Sequence, residues 1–147
     1  MSGAGRIAGL PSSLRVHSLR LVPGEEIKSS LLRYAMENDL KAPFIMTCVG
    51  SVTKASIRYA AQPTAESKVD LEEKMEICSL VGTLGAGGHL HIVLGREDGS
   101  TVSGHVMGNL VVFTTAEIMI GECSDVVFNR TFDERTGFDE LSVVKRE

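Results

Sequence analysis

The amino-acid sequence predicts an α+β domain built on an antiparallel β-sheet. One early segment carries apolar residues at helical spacing, whereas most of the remaining chain consists of apolar runs of strand length. Polar or glycine-containing turns separate these runs, which is typical of sheets whose strands are joined by hairpins. The 147 residues are 43% hydrophobic and 23% charged, which fits one globular domain with a core of its own.

The first predicted elements are a strand over residues 16–22 and a helix that begins after Pro23-Gly24. Glu25 and Glu26 stand in the first turn of this helix, where the helix dipole favours negative charge. Asn38-Asp39 is expected to end it. Its apolar stripe consists of Ile27, Leu31, Tyr34 and Ala35.

The rest of the chain is predicted to form strands. Residues 44–49 are a continuous apolar run, as expected for a strand covered on both faces, and Gly50-Ser51 interrupts it before an alternating run over residues 55–59. Residues 61–73 form a long polar connection. Further strands are predicted at residues 75–84, 89–94, 101–107 and 110–120, followed by a last pair at 126–132 and 141–144.

These elements define one folded unit over residues 14–144. Residues 1–13 are small and glycine-rich, so we expect a flexible N-terminal tail, and residues 145–147 are expected to form a short C-terminal tail. The N-terminal segment holds Arg6, serines and no acidic residue, so a short organelle-targeting segment is the alternative interpretation.

Charge and cysteine content narrow the classes of function. The net charge is −4 and no Lys/Arg cluster occurs, so we expect no direct DNA binding. No apolar run reaches the ~20 residues of a membrane span, so we expect no membrane partner. Cys48, Cys78 and Cys123 are odd in number, widely spaced and set in apolar runs. Reduced core thiols in a cytoplasmic protein are the expected state.

The segment from Gly87 to Asn109 holds three of the four histidines of the chain. His89 and His91 are two residues apart in an apolar run, so on a strand their side chains leave the same face. An Asp98-Gly99 turn then brings the chain back towards His105. Three imidazoles that converge from two strands are suitable ligands for a zinc-like metal ion.

The length of the turn decides whether His105 reaches the other two. A two-residue loop of Asp98 and Gly99 would direct His105 to the opposite face of the hairpin. A three-residue loop of Glu97, Asp98 and Gly99 instead pairs His105 directly with His91. This loop type needs a glycine at its third position, where Gly99 stands. The metal interpretation therefore predicts the three-residue loop.

A structural role is the alternative for these histidines, because strand histidines are commonly half-buried and hydrogen-bonded to a neighbour. No fourth ligand is evident in the same segment. Closed structural zinc sites usually have four protein ligands, whereas three leave one position open. An open site is therefore the expected form of the metal centre.

Three segments of the chain together resemble a known family. They are LRLVPGEEIKSSLLRYAMEND, IMTCVGSVTKASIRY and EKMEICSLVGTLGAGGHLHIVLGREDGSTVSGHVMGNLVVFTTAEIMI, within residues 16–122. This sequence is similar to the PPC domain, also called PCC or DUF296. The glycine–HxH–turn–GH pattern is its most specific part, and the PGE start of the helix agrees with it.

The resemblance implies a mixed α/β fold, with a central antiparallel sheet flanked by helices, and a homotrimer. In stand-alone prokaryotic members the motif histidines are proposed to bind zinc, and here they would be His89, His91 and His105. Plant members add AT-hooks and use a GRFEIL segment to contact transcription factors. Residues 73–78 keep only Glu76 and Ile77 of that segment, and no RGRP-type AT-hook occurs. Ser103 replaces the first glycine of the usual GGH. A serine hydroxyl at this position could crowd the site or hydrogen-bond to it, and either effect would change the metal affinity expected from the resemblance.

One further residue is a weak candidate for catalysis. Glu117 is the only acidic residue in the apolar run after the histidine motif, where the family motif usually has a glutamate. It could orient a histidine or act as a base beside a metal, or it could be a solvent-facing strand residue.

Three functions remain open: a zinc-binding homotrimer that serves as a binding or regulatory module, a zinc-dependent hydrolase or lyase, and a protein–protein interaction module linked to transcription-type complexes. The first is favoured, because the sequence offers metal ligands without a convincing acid/base partner. A protein or small molecule is then the expected partner.

Overall fold

Seven β-strands and one α-helix form the regular structure of residues 5–147, the part of the chain that the computed structural model describes. A short 3-10 turn at Gly85–Gly87 lies just before the fourth strand. In chain order the elements are β1 (Leu14–Leu21), α1 (Ile27–Glu37), β2 (Pro43–Arg58), β3 (Val69–Thr83), β4 (His89–Gly95), β5 (Thr101–Cys123), β6 (Val126–Asp133) and β7 (Phe138–Lys145).

The main sheet has five antiparallel strands in the order β1-β5-β2-β3-β4, and β5 also pairs with β4. Strands β2, β3, β4 and β5 therefore form a closed circuit of pairings, in which every strand has a neighbour on both sides. Strands β6 and β7 form a separate antiparallel ribbon. The long β5 is the central element, since it touches β1, β2 and β4.

The hydrophobic core fills the space inside the curved sheet and beneath α1. The helix contributes Ile27 and Leu31, both fully buried. Glu26 is the N-cap of α1, and its carboxylate accepts hydrogen bonds from the backbone amides of Ser29 and Lys28. The helix thus begins at Ile27. Glu25 and Glu26 precede it and do not lie in its first turn, where they were expected.

The expected α+β fold with helices flanking the sheet is wrong. The described residues contain a single α-helix, and strands make up most of the chain. The antiparallel pairing of the strands was predicted correctly, but the expectation that several helices cover the sheet was wrong. Because β2 to β5 pair in a closed circuit, the sheet buries much of its inner face against itself. One helix therefore suffices where an open sheet would need several.

Two predicted interruptions of strands do not occur. Gly50-Ser51 lies inside β2, and the runs 101–107 and 110–120 belong to the single strand β5. Gly108 and Asn109 have φ values of 129° and 49°, so β5 continues through an irregular, left-handed site. The register between β2 and β5 shifts at several points along the same stretch. Bulges therefore bend these long strands without ending them.

Both ends of the folded unit contact the turn between β5 and β6: the amide of Ser13 donates to Asp125 Oδ2 at 2.6 Å, and the amide of Arg146 donates to the carbonyl of Asp125 at 2.9 Å. Residues 1–4 of the expected flexible tail lie outside the described residues, and residues 5–13 are exposed and form neither helix nor strand. At the C-terminus, Arg146 forms an ion pair with the buried carboxylate of Glu122, with a nitrogen–oxygen distance of 3.2 Å. In residues 5–147 we find no helix long and apolar enough to cross a membrane.

Candidate metal centre

The β4–β5 hairpin brings the three motif histidines together. His91 pairs directly with His105, as predicted from the three-residue loop. Gly99 lies in the left-handed region with φ 82°, and the amide of Arg96 donates to the carbonyl of Ser100 across the loop, at 2.8 Å. The register and the loop type are both confirmed.

The alternation of side chains along β4 directs its histidines outward. Leu90 and Ile92 are buried in the core, whereas His89 and His91 face outward from the curved sheet. The backbone of β3 approaches closely here, because a side chain at Gly82 would overlap the carbonyl oxygen of His89. The two histidines therefore stand on a part of the sheet whose backbone is fixed from both sides.

The distances between the imidazoles fit a shared metal ion. The Nε2 atoms of His89 and His91 lie 3.2 Å apart. Each of the three histidines offers one ring nitrogen, and these nitrogens all lie within 4.8 Å of one another. Two nitrogens bound to one tetrahedral zinc ion at about 2.05 Å stand about 3.3 Å apart. The His89–His91 pair thus has the spacing of two zinc ligands, and the nitrogen of His105 lies near enough to join them after side-chain rotation.

Electrostatics keep two of the histidines neutral. Burial, followed by the positive charge of Arg58, lowers the pKa of His105 to about 4. Burial also lowers the pKa of His89, and the charges of His91 and Arg130 act in the same direction. Neutral imidazole is the form that binds metal, so neither residue must lose a proton at pH 7.

The histidines line a cavity of about 670 Å³. Arg58 and Tyr59 from the end of β2, the loop of residues 60–65 and Phe138 from β7 form its other walls. A smaller cavity of about 350 Å³ adjoins His89 and His105 and is lined by Arg58, Arg130 and residues 86–88. A small molecule could therefore reach a metal ion on the three histidines through either cavity.

Sequence reasoning did not place Arg58 and Arg130 at this site. Arg58 pairs with His105 across β2 and β5, and Arg130 reaches Thr83 Oγ1 at 3.0 Å from the ribbon. Both contacts join segments far apart in the chain. The long-range pairing of β2 with β5, with its bulges, would have been needed to find Arg58, and no local motif indicates it.

The remaining sequence candidates lie in different places. Ser103 lines the larger cavity beside His105. Glu117 is exposed near the other end of β5, opposite Arg20 of β1 and Val49 of β2. It lines neither cavity beside the histidines. Within one described chain, the structure therefore does not bring Glu117 to the histidine cluster.

Comparison with known proteins decides the family. The model of the Plants and Prokaryotes Conserved (PCC) domain matches residues 9–124, which include the helix, the main sheet and all three histidines. The chain belongs to the PCC domain family. The resemblance inferred from the sequence is thereby confirmed.

Solved structures of similar proteins share the PCC fold. A hypothetical protein from Salmonella enterica is 37% identical, with a TM-score of 0.90 over 94% of this chain and 99% of that chain. A metal-containing protein from Archaeoglobus fulgidus is 27% identical, with a TM-score of 0.78 over 93% of this chain and 99% of that one.

Among curated relatives, the PCC chain matches part of longer proteins. The bifunctional protein GlmU from a Synechococcus strain is 39% identical over 98% of this chain, which corresponds to 23% of that protein. AT-hook motif nuclear-localized protein 25 from Arabidopsis thaliana is 30% identical over 82% of this chain and 42% of that protein. The chain thus spans less than half the length of these two relatives.

Proposed function

We propose that this PCC protein binds one zinc ion per chain through His89, His91 and His105, leaves the fourth position open, and acts as a homotrimeric binding or regulatory module. The convergence of three imidazole nitrogens within 4.8 Å of one another carries this proposal. Two of these imidazoles also have pKa values that favour the neutral, metal-binding form.

Similarity to other proteins supports a metal-binding module. The Archaeoglobus neighbour is described as metal-containing. In the Synechococcus and Arabidopsis relatives, the similar segment is joined to additional chain. A domain that is joined to different additional segments in different proteins is more consistent with a shared binding or regulatory task than with one fixed reaction.

Metal analysis tests the proposal directly. Protein without a histidine tag is loaded with zinc, dialysed and measured for metal, as wild type and as His91→Ala. We expect about one zinc per wild-type chain and a loss of affinity of about 100-fold or more in the variant, because two imidazoles hold zinc poorly. His17→Gln is the matched control, since it removes an imidazole outside the cluster.

Two outcomes would contradict the metal proposal. Wild-type protein that retains no zinc after loading would reject it. Equal zinc content in wild type and His91→Ala would show that the metal binds somewhere else. Thermal melts of all three proteins exclude unfolding as the cause of any loss.

A zinc-dependent hydrolase or lyase is the second candidate, because the histidines open onto a cavity large enough for a small substrate. Zinc would supply Lewis acidity there. No Asp or Glu lines the larger cavity within residues 5–147, so a general base of the carboxylate type would have to come from Asp139 or Glu140, which line the smaller cavity beside His89 and His105. Turnover of an ester or phosphoester by the zinc-loaded protein, lost in His91→Ala, would favour the enzyme over the binding module.

A further inference from the structure

The cavity beside the histidines carries positive charge that nothing in it balances. Arg58 lines the cavity, and its guanidinium donates to the carbonyl of Ala65 and contacts the sulfur of Met107 at 3.8 Å. Neither partner is charged. Across the described chain, no carboxylate forms an ion pair with Arg58. Most of the N–H donors of this arginine therefore remain available.

Metal binding would increase the imbalance. Three neutral imidazoles leave the charge of a divalent ion intact, and acidic side chains are missing from the described lining of the larger cavity. Arg58 also lines the smaller cavity, but there Asp139 and Glu140 accompany it and Arg130, so positive and negative groups are equal in number. Charge complementarity thus favours an anion in the larger cavity.

The same cavity also exposes apolar surface. Tyr59, Val81 and Phe138 are large apolar residues with exposed side chains, and all three line it. Its volume of about 670 Å³ lies within the range of small-molecule sites and exceeds the space that a simple inorganic anion needs. The walls therefore offer a charged end and an apolar part to one ligand.

We propose that the ligand of this site is a small organic anion whose carboxylate or phosphate group lies between the metal centre and Arg58, and whose apolar part packs against Tyr59, Val81 and Phe138. Arginine suits both head groups, since its planar fork pairs with two oxygens at once. The inference rests on the proposed function, because the metal supplies two of the three positive charges around the head group, and Arg58 supplies the third.

Calorimetric titration of the zinc-loaded protein tests this inference. Acetate, benzoate, inorganic phosphate and phenyl phosphate are titrated at constant ionic strength into wild type, Arg58→Gln, Arg58→Lys and the control Arg33→Gln. Loss of the charge-assisted pair is expected to weaken binding about tenfold in Arg58→Gln, with partial recovery in Arg58→Lys. Arg33 is exposed on α1 and lines neither cavity, so its variant is expected to match wild type.

The choice of probes separates the two parts of the ligand. Comparison of acetate with phosphate identifies the preferred head group. Benzoate and phenyl phosphate are expected to bind several-fold more tightly than acetate and phosphate, and Phe138→Ala is expected to reduce this difference. Zinc content is measured in every sample, because Arg58→Gln removes a repelling charge and is expected to retain full metal.

The outcomes distinguish failure of this inference from failure of the proposed function. Stoichiometric zinc with no anion binding, or with equal binding in Arg58→Gln and wild type, overturns this inference and leaves the metal site standing. Arg58-dependent binding without any preference for the aromatic anions overturns the apolar part. Absence of zinc from the wild-type protein overturns the proposed function and this inference together.

Discussion

Single residues fix the backbone beneath the histidines, and Gly82 is the clearest case. Its φ of 133° is unusual for an L residue, and a Cβ there would overlap the carbonyl oxygen of His89. Gly82→Ala is expected to cost about 1–3 kcal/mol of unfolding free energy and to weaken metal binding, because β4 must move. Denaturant unfolding and zinc titration measure the two effects.

A glycine without neighbours is the control for this substitution. Gly9 has no atom within 4 Å of its would-be Cβ, so Gly9→Ala is expected to leave both quantities unchanged. Wild-type stability and zinc affinity in Gly82→Ala would show that β3 and β4 are free to separate at this point.

Burial is expected to make Cys48 less reactive than the exposed Cys78. Burial raises the pKa of the Cys48 thiol to about 11, since the low-dielectric surroundings disfavour the thiolate. At pH 8 only about one thiol in a thousand is then ionised, so Cys48 is expected to react with a thiol reagent roughly 100-fold more slowly than an ordinary cysteine. Cys78 is exposed and serves as the comparison.

Double variants isolate each thiol in this experiment. Cys78→Ser with Cys123→Ser leaves Cys48 alone, and Cys48→Ser with Cys123→Ser leaves Cys78 alone. Reaction of Cys48 as fast as Cys78 would show that β2 opens readily around it.

At the scale of elements, α1 is held by its N-cap. The carboxylate of Glu26 accepts from the amide of Ser29 at 2.7 Å and from the amide of Leu110 on β5 at 2.9 Å. Glu26→Ala is expected to cost about 2 kcal/mol, because it removes the cap and leaves a partly buried strand amide without its acceptor. Urea unfolding measures this loss.

Two further variants show whether the acceptor oxygens matter. Glu26→Gln keeps one side-chain oxygen and is expected to lose less stability than Glu26→Ala. Glu37→Ala changes an exposed glutamate near the other end of α1 and is expected to have little effect. An equal, small loss in all three variants would contradict the capping role.

The elements also show which parts of the structure were accessible from sequence. The β4–β5 hairpin was predicted down to its register, because a short loop and side-chain parity fix it locally. The continuous course of β5 was not predicted. A glycine such as Gly108 often marks the end of a strand, but here it forms an irregular site within one. Pairing with β2, distant in the chain, is what continues β5 beyond it.

For the whole molecule, the covering of the sheet depends on long-range closure that no local pattern reveals. Periodicity identified α1 and most strands, but the pairing of β5 with both β2 and β4 determines that few helices are needed. The same closure places Arg58 beside His105. The histidines of the candidate site could therefore be predicted, whereas the positive wall of its cavity could not.

One face of the sheet exposes several apolar side chains that a single chain leaves uncovered. Val16 of β1 and Phe44 of β2 both lie opposite Gly121 of β5, and Val49 lies opposite Glu117 on the same face. Val16 and Val49 are 49% and 59% exposed. Arg20 and Glu117 lie beside Val49 on this face, so its apolar side chains are interspersed with charged ones. Exposed apolar side chains that the chain itself does not cover are typical of a surface that another subunit covers.

We therefore predict that the homotrimer implied by the family resemblance forms through this face. Val49→Glu is expected to lower the mass measured by sedimentation or light scattering from three chains towards one, because a buried, unpaired carboxylate opposes association. The fold of the chain is expected to persist, since Val49 is exposed in the isolated subunit. Met36→Glu is the control, because Met36 is 75% exposed on α1, away from the sheet face. A wild-type monomer at micromolar concentration would reject the trimer, and a trimer that tolerates Val49→Glu would move its interface to another surface.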